Sequence, residues 1–329
     1  MIVSSDTIMT LPNYKITKAI LNSCSQISQL IGKSEGLRLL IPSPQLRKEN
    51  SIKSIQSSLS IEGNALSIEQ VSAIFDEKKV IGPPKDILEV QNAILAYQLT
   101  KKFIFSSLTS FLKAHKILMN GLIDHAGKWR QKGIGVVQGN RIVHLAPPAS
   151  RVPFLMTELF DYLRSEKKPN LLLLSCVAHY EIEFIHPFPD GNGRMGRLWQ
   201  HVMLTQHHPF FEFLPVESII KKYQKAYYQA LHQSDKTGES SHFIEFCLEA
   251  ILESIEEMFA TLKISPMSST SRLELAKNHF QKRFFSRKDY LIFFKNLSTA
   301  TASRDLLKGV QENLLHKKGE KVKTLYRFV

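Results

Sequence analysis

His186-Pro-Phe-Pro-Asp-Gly-Asn-Gly-Arg-Met-Gly-Arg197 is the stretch on which the reading of this chain turns. It packs an imidazole, a carboxylate, an amide, two arginines and flexible glycines into twelve residues. Pro187 and Pro189 forbid continuation of the apolar helix expected over Leu171–Ile185, so His186 stands where a helix gives way to a loop. Gly191 and Gly193 let the backbone turn its N–H groups inward. With the helix expected from Arg194 to about Gln206, those amides form an anion nest. Asn192 adds an uncharged side-chain donor, and Asp190 suits a hard cation such as Mg²⁺ that bridges phosphate oxygens. Arg194 and Arg197 are three apart and share a helix face, where planar guanidinium groups suit phosphate. An imidazole that titrates near neutrality suits His186 to act as a general base toward a hydroxyl. Ile185 and Phe188 are expected to bury the apolar side of the loop. No GxxxxGK[ST] loop and no HExxH helix occurs, and the adjacent pair His207-His208 reads as a helix end and not as a metal site.

Outward from this loop the chain reads as mainly α. Helical patterns run over Lys48–Ile61, Ser67–Phe75, Lys85–Phe105, Thr109–Met119, Val152–Ser165, Glu217–Gln233 and Ser241–Leu262. Gly63-Asn64 is a stop signal after the first of these. Two β-prone runs, Ile134–Val137 and Arg141–Leu145, flank Gln138-Gly139-Asn140 and predict a hairpin. Ser265–Ser271 reads as a linker. Beyond it, a capped helix over Ser286–Phe294, a turn at Asn296–Ser298, a helix over Thr299–Leu315 and a strand pair around Gly319-Glu-Lys321 describe a winged helix-turn-helix.

The net charge is +13 over 329 residues. Residues 263–329 hold 15 Lys and Arg against 5 Asp and Glu, whereas the rest of the chain holds 28 against 25. The basic excess is therefore C-terminal, as expected of a module that meets an anionic surface. Thr299, Ser303, Arg304 and Lys308 are the candidate DNA contacts. Cys24, Cys176 and Cys247 form no CxxC pair, which fits reduced thiols in a cytoplasmic protein. No apolar run is long enough for a membrane span, and the first thirty residues lack the apolar region of a signal peptide.

His186–Arg197 resembles the signature HPF-x-D/E-GNGR-x-x-R of Fic-domain proteins at every defining position. The resemblance extends over the surrounding helices and the hairpin to about residue 250. It implies an α-helical Fic core with a short β-hairpin flap, here followed by a small winged-helix domain. The expected boundaries are 1–105 for an N-terminal helical region, 106–262 for the core, 263–271 for the linker and 272–329 for the winged helix. The implied activity is transfer of AMP from ATP, with Mg²⁺, to a hydroxyl of a target protein or of the chain itself. By the same resemblance His186 is the catalytic base and Asp190 the metal ligand, while Gly191, Asn192, Gly193, Arg194 and Arg197 bind phosphate. Tyr227 and Tyr228 resemble a pair that contacts the nucleotide, and Asp235 stands where several relatives have Asn. The 139–145 hairpin resembles the flap that holds the target protein by strand addition, through Ile142, Val143 and His144. Gly at position 193, where phosphorylating branches have Lys, favours AMP transfer. A homodimer is also implied.

Ser58-Leu-Ser-Ile-Glu62-Gly63 resembles the family's inhibitory motif, Ser/Thr-x-x-x-Glu-Gly/Asn, in the branch with an N-terminal inhibitory helix. Ser58 and Glu62 are four apart, so the hydroxyl is expected to steady the carboxylate. Glu62 is expected to form a bidentate pair with Arg197 and so to contest the guanidinium with the γ-phosphate. Glu62 can alternatively orient a water that hydrolyses the AMP–protein bond. The competing reading from another class is a DNA-binding regulator whose Fic core senses nucleotide.

Overall fold

The computed structural model describes residues 12–36, 43–133, 135–138, 141–165, 170–264, 268–294, 297–320 and 324–329. They form two compact units, one ending at Phe259 and one beginning at Ala260. Among the described residues no helix is long and apolar enough to cross a membrane.

The first unit is helical apart from one hairpin. Its elements are α1 (Lys18–Gly36), α2 (Pro44–Ile61), α3 (Ile68–Phe75), α4 (Pro84–Gln98), α5 (Leu108–Leu118), β1 (Gly135–Gln138), β2 (Arg141–Leu145), α6 (Val152–Arg164), α7 (Leu171–Ile185), α8 (Asn192–His207), α9 (Val216–Lys222), α10 (Gln224–Thr237) and α11 (Ser241–Ile264). Local chemistry sets several starts. Ser43, Ser67, Ser107 and Asn170 each accept a backbone N–H from the first turn of α2, α3, α5 and α7. α7 is nearly all apolar and sits at the centre, with Leu174, Ala178, Ile182 and Ile185 buried against Met195, Leu198 and Val202 of α8.

Two long patterns divide where periodicity expects one helix. The segment Lys85–Phe105 ends as α4 at Gln98 and continues as a short 3₁₀ turn, Thr100–Lys102. Glu217–Gln233 breaks at Tyr223, whose backbone (φ −110°, ψ 34°) leaves the helical region between α9 and α10. Neither break carries Pro or Gly, so tertiary packing overrides the local pattern. The helix expected from Arg194 starts two residues earlier, at Asn192.

β1 and β2 pair antiparallel, Gly135 opposite Leu145, Val136 opposite His144, Val137 opposite Ile142 and Gln138 opposite Arg141. The register shifts between Val136 and Val137, which leaves Val143 as the extra residue of a bulge. Gly139 and Asn140, the expected turn, lie outside the described residues.

The second unit holds α12 (Ser269–Phe280), β3 (Phe285–Ser286), α13 (Arg287–Phe293), α14 (Thr299–Gln311), β4 (Leu315–Lys318) and β5 (Leu325–Phe328). The strands form an antiparallel sheet in the order β3-β5-β4. Leu273, Phe280, Phe285, Tyr290, Leu306 and Phe328 fill its own core. Asp305 inside that core accepts from Arg272 Nη2 at 2.8 Å and from Tyr290 Oη at 3.3 Å, so the buried carboxylate is compensated. Ser269–Ser271 of the expected linker are helical, because Ser268 caps α12 by accepting from Ser271 N. The helix expected to reach Leu315 ends at Gln311, two residues before Asn313 takes a positive φ of 57°.

Candidate active site

Residues 186–191 join α7 to α8, and every turn of this loop is held from outside. His186 is the C-cap of α7 in the left-handed region (φ 50°, ψ 59°), a conformation that histidine tolerates better than most residues. Phe188 is fully buried and lies against His115 (ring centroids 3.5 Å, 3° between planes) and Phe111 (5.4 Å). Asn192, 2 % exposed, accepts from Phe188 N at 2.8 Å and donates to Phe188 O at 2.9 Å. Its side chain therefore braces the loop. Gly191 (φ 84°) takes a backbone conformation that favours glycine, and a Cβ there would strike the Met119 sulfur at 2.7 Å.

Two residues that sequence reading passed over complete the bracing. His115 on α5 is fully buried; its Nδ1 accepts from Gly127 N at 2.8 Å, so Nε2 carries the proton and donates to Asp190 O at 3.0 Å. Burial pushes the His115 pKa down to about 4, against a smaller upward pull from the Asp190 carbonyl, so the ring is neutral. Arg130 is 3 % exposed and donates to four carbonyls. They belong to His186 (2.7 Å), Ile185 (3.3 Å), Lys132 (3.0 Å) and Pro147. Its own N–H donates to Pro187 O at 2.9 Å. Lys132 precedes β1 and Pro147 follows β2, so one guanidinium ties the roots of the hairpin to the start of the loop.

The reactive groups follow from this frame. His186 Nδ1 lies 3.3 Å from Glu183 O. A carbonyl only accepts, so that contact puts the proton on Nδ1 and the lone pair on Nε2, the form a general base requires. α8 begins without any side-chain cap, and its first N–H groups carry the positive end of the helix dipole. Asp190 is half exposed; its Oδ1 accepts from Gly191 N (2.6 Å) and Arg194 Nη2 (3.0 Å).

Both arginines of the motif are buried and engaged. Arg194 Nη1 donates to Glu89 Oε1 at 3.1 Å, and Glu89 Oε2 in turn accepts from Asn64 Nδ2 at 2.9 Å. Arg197, 1 % exposed, donates through Nη2 to Glu62 Oε1 at 2.6 Å and to Ser58 O at 3.0 Å, and through Nε to Ser58 Oγ at 3.0 Å. Two details differ from the sequence expectation. The ion pair runs through one nitrogen, and the Ser58 hydroxyl accepts from Arg197 instead of steadying Glu62. The guanidinium Nη1 is buried with no hydrogen-bond partner. Burial opposes the charge on Arg197, but Glu62, Tyr227 and Glu183 together hold it firmly protonated.

Glu62 owes its place to Gly63. Gly63 N donates to Ser60 O (3.1 Å) and Asn64 N to Leu59 O (3.1 Å), the paired bonds of a Schellman ending, with Gly63 at φ 93°. Glu62 is thus the C-cap of α2 and points at α8, where a Cβ on Gly193 would collide with its Oε1. Glycine at 193 is what lets the carboxylate come this close.

Tyr227 is buried, its hydroxyl 2.9 Å from Glu183 Oε1 and 3.1 Å from His179 Nε2, while Tyr228 beside it is 39 % exposed. Burial pushes Glu183 up, but His179, Arg197 and His186 outweigh it and hold the carboxyl at about 2. Glu183 is a further residue the sequence reading missed; a carboxylate in so apolar a helix was the available signal. Asp235 accepts from Tyr180 Oη at 3.0 Å. The side chains of Ile142, Val143 and His144 lie outside the description. In the second unit Ser303 Oγ donates to Thr299 O (3.0 Å) and accepts from Arg287 (3.0 Å). Lys308 donates to Thr270 (3.0 Å), while Thr299 and Arg304 are exposed.

A model of the Fic/DOC family matches residues 105–204, which contain the whole loop. The crystal structure of a Fic family protein from Desulfovibrio desulfuricans G20 is 36% identical and covers 97% of this chain and 98% of its own, with a TM-score of 0.72. A Fic domain containing signaling protein from Bacteroides thetaiotaomicron, 20% identical over 74% of this chain and 100% of its own, shares the fold with a TM-score of 0.61. The protein adenylyltransferase Fic of Nematostella vectensis is 28% identical over 74% of this chain and 56% of its own, and that of Drosophila willistoni is 28% identical over 63% and 42%. The chain thus spans about half the length of these curated relatives.

Proposed function

The chain belongs to the Fic/DOC family, and from that premise we propose that it transfers AMP from ATP to a hydroxyl of a target protein and is restrained by Glu62. The observation that carries this reading is the convergence on one loop of a lone-pair-bearing His186, an uncapped helix N-terminus and two buried arginines. His186 Nε2 takes the proton of the target hydroxyl. The hydroxyl oxygen bonds to the α-phosphorus, and the bond to the bridging oxygen breaks to release pyrophosphate. The α8 amides, Arg194 and Arg197 meet the phosphate charge.

Mg²⁺ fits Asp190. Among the described residues no cluster of three or more His, Cys, Asp or Glu offers a closed metal cage. One half-exposed carboxylate completed by phosphate oxygens and water is how Mg²⁺ is usually held, and the ion would neutralise charge on the leaving pyrophosphate.

The Glu62–Arg197 pair supports autoinhibition. Arg197 is buried while the Glu62 side chain is a third exposed, so the pair opens from the Glu62 side and stays open only when another anion takes the carboxylate's place. The γ-phosphate is that anion. The hairpin is the proposed flap for the target segment, and the helix-strand-helix-helix-strand-strand order of the second unit supports a winged helix. Its charge supports a second reading, contact with DNA.

The test is incorporation of label from ATP into the chain and into lysate proteins. Glu62→Gly is expected to raise it on the order of tenfold, the scale of an internal coupling. His186→Ala is expected to lower it by about 10²–10⁴. Equal incorporation by wild type and Glu62→Gly would sink the inhibitory reading; activity retained in His186→Ala would sink the catalytic one.

A further inference from the structure

A polar row runs along the buried side of α2, beside Ile52, Ile55, Leu59 and Ile61. Asn50, Ser54, Ser58 and Glu62 are four residues apart and form one row along the helix, and the first three are 5 %, 3 % and 3 % exposed. Three of the four are satisfied. Asn50 donates to Phe213 O at 3.0 Å, and Ser58 and Glu62 both meet Arg197. Ser54 has no hydrogen-bond partner among the described residues. It opens instead onto a chamber of about 180 Å³ between α2, α4 and α8. His201 of α8 lines the same chamber, 8 % exposed and likewise without a hydrogen-bond partner among the described residues.

We infer that this chamber is a binding site for a small, uncharged, planar molecule with hydrogen-bonding groups, and that its occupant tightens the Glu62–Arg197 pair. The inference rests in part on the inhibitory reading above.

The chamber selects the ligand by size, charge and shape. A dry cavity of about 150 Å³ holds one benzene, so 180 Å³ suits a single substituted ring. Lys101 and Glu212 at the wall pair with each other at 2.7 Å, so they leave no net charge for an ion. A charged ligand would lose its water without gaining a counter-ion. Phe75, Phe213, Ile55 and Ile94 supply flat and apolar surface, and Ser54 with His201 supplies the two polar ends.

The coupling runs through shared walls. A molecule bonded to both Ser54 and His201 cross-links α2 to α8, the two helices that carry Glu62 and Arg197. Tyr97 also lines the chamber, and its hydroxyl donates to Glu217 Oε1 at 2.8 Å. The His201 ring, 5.3 Å from that of Tyr97, also borders a second space of about 10 Å³, room for about one water. Arg197 and Glu217 face that inner space too, and both Arg197 Nη1 and Glu217 Oε2 are buried without partners. Whatever shifts Tyr97 or His201 is therefore felt by Arg197.

Nicotinamide, an uncharged ring with one carboxamide, is the probe. Ligand-observed NMR on the full chain is expected to show saturable binding that is lost in both Ser54→Leu and His201→Phe, with folding checked by thermal unfolding. Saturating nicotinamide is expected to weaken ATP binding about fivefold or more in wild type and to leave Glu62→Gly unchanged. No saturable binding, or binding kept in both variants, overturns the site. Binding without any change in ATP affinity overturns the coupling. Failure of the inhibitory reading shows separately, as Glu62→Gly equal to wild type without any probe.

Discussion

Glu181 is a carboxyl in the middle of α7 with 1 % exposure and an Oε2 that has no hydrogen-bond partner. Burial, with a smaller push from Asp235, raises its pKa to about 8. A carboxyl whose folded pKa lies above its unfolded value favours folding while it is protonated in both states. That advantage is complete below about pH 4.5 and is lost as the pH rises toward 8. The Tm of wild type is therefore expected to fall between pH 5 and 8 relative to that of Glu181→Gln. The gap at pH 8 is on the order of 4 kcal/mol, read by thermal unfolding across pH. The residues of the loop were legible from sequence because His186, Asp190, Arg194 and Arg197 are contiguous and chemically unlike a structural turn. Glu62 was legible only as a pattern beside a helix stop. Arg130, His115, Glu89 and Glu183 were not, because each reaches the loop from another part of the fold, and a contact made by packing leaves no spacing in the sequence.

At the level of elements, the ending of α2 and the root of the hairpin both hold residues against the 186–197 loop and the start of α8. Gly63 holds a positive φ that costs other residues about 1 kcal/mol, so Gly63→Ala is expected to lower the Tm slightly and to loosen Glu62. Label incorporation from ATP should rise in this variant, though less than in Glu62→Gly; no rise would separate helix ending from inhibition. Arg130→Lys keeps the charge and loses the planar fork that reaches four carbonyls. Its expected signature is a lower kcat with an ATP KM close to wild type, together with a Tm lowered by an amount equivalent to about 2–3 kcal/mol. The starts of α2, α3, α5 and α7 carry serine or asparagine caps, a signal that sequence can show. The breaks at Leu99 and Tyr223 carry no such signal, for no proline or glycine announces them. The two-residue β3 is too short to show alternation, and it exists because β5 pairs with it.

Over the whole molecule, charge is divided as unevenly as chemistry. The second unit carries most of the net charge of +13, and the first carries the 186–197 loop. If the second unit meets DNA through phosphates, affinity should fall linearly on a log–log plot of binding against salt, and truncation after Ile264 should abolish it. Binding that ignores salt would remove DNA as the partner. The division of labour was visible in composition; the sheet order β3-β5-β4 that organises the basic end was not, since register is set by pairing across the unit.

Arg197, at 1 % exposure, imposes a timetable as well as an affinity. If nucleotide binds as proposed, it cannot reach this guanidinium until the end of α2 has lifted, and productive association then includes a step that ATP does not accelerate. In stopped-flow mixing the observed rate should level off as ATP increases, at a plateau equal to the opening rate of α2. In Glu62→Gly the same plot should stay linear over that range. The cell could then tune this protein through the frequency at which one helix end opens, with no change in how much ATP is present.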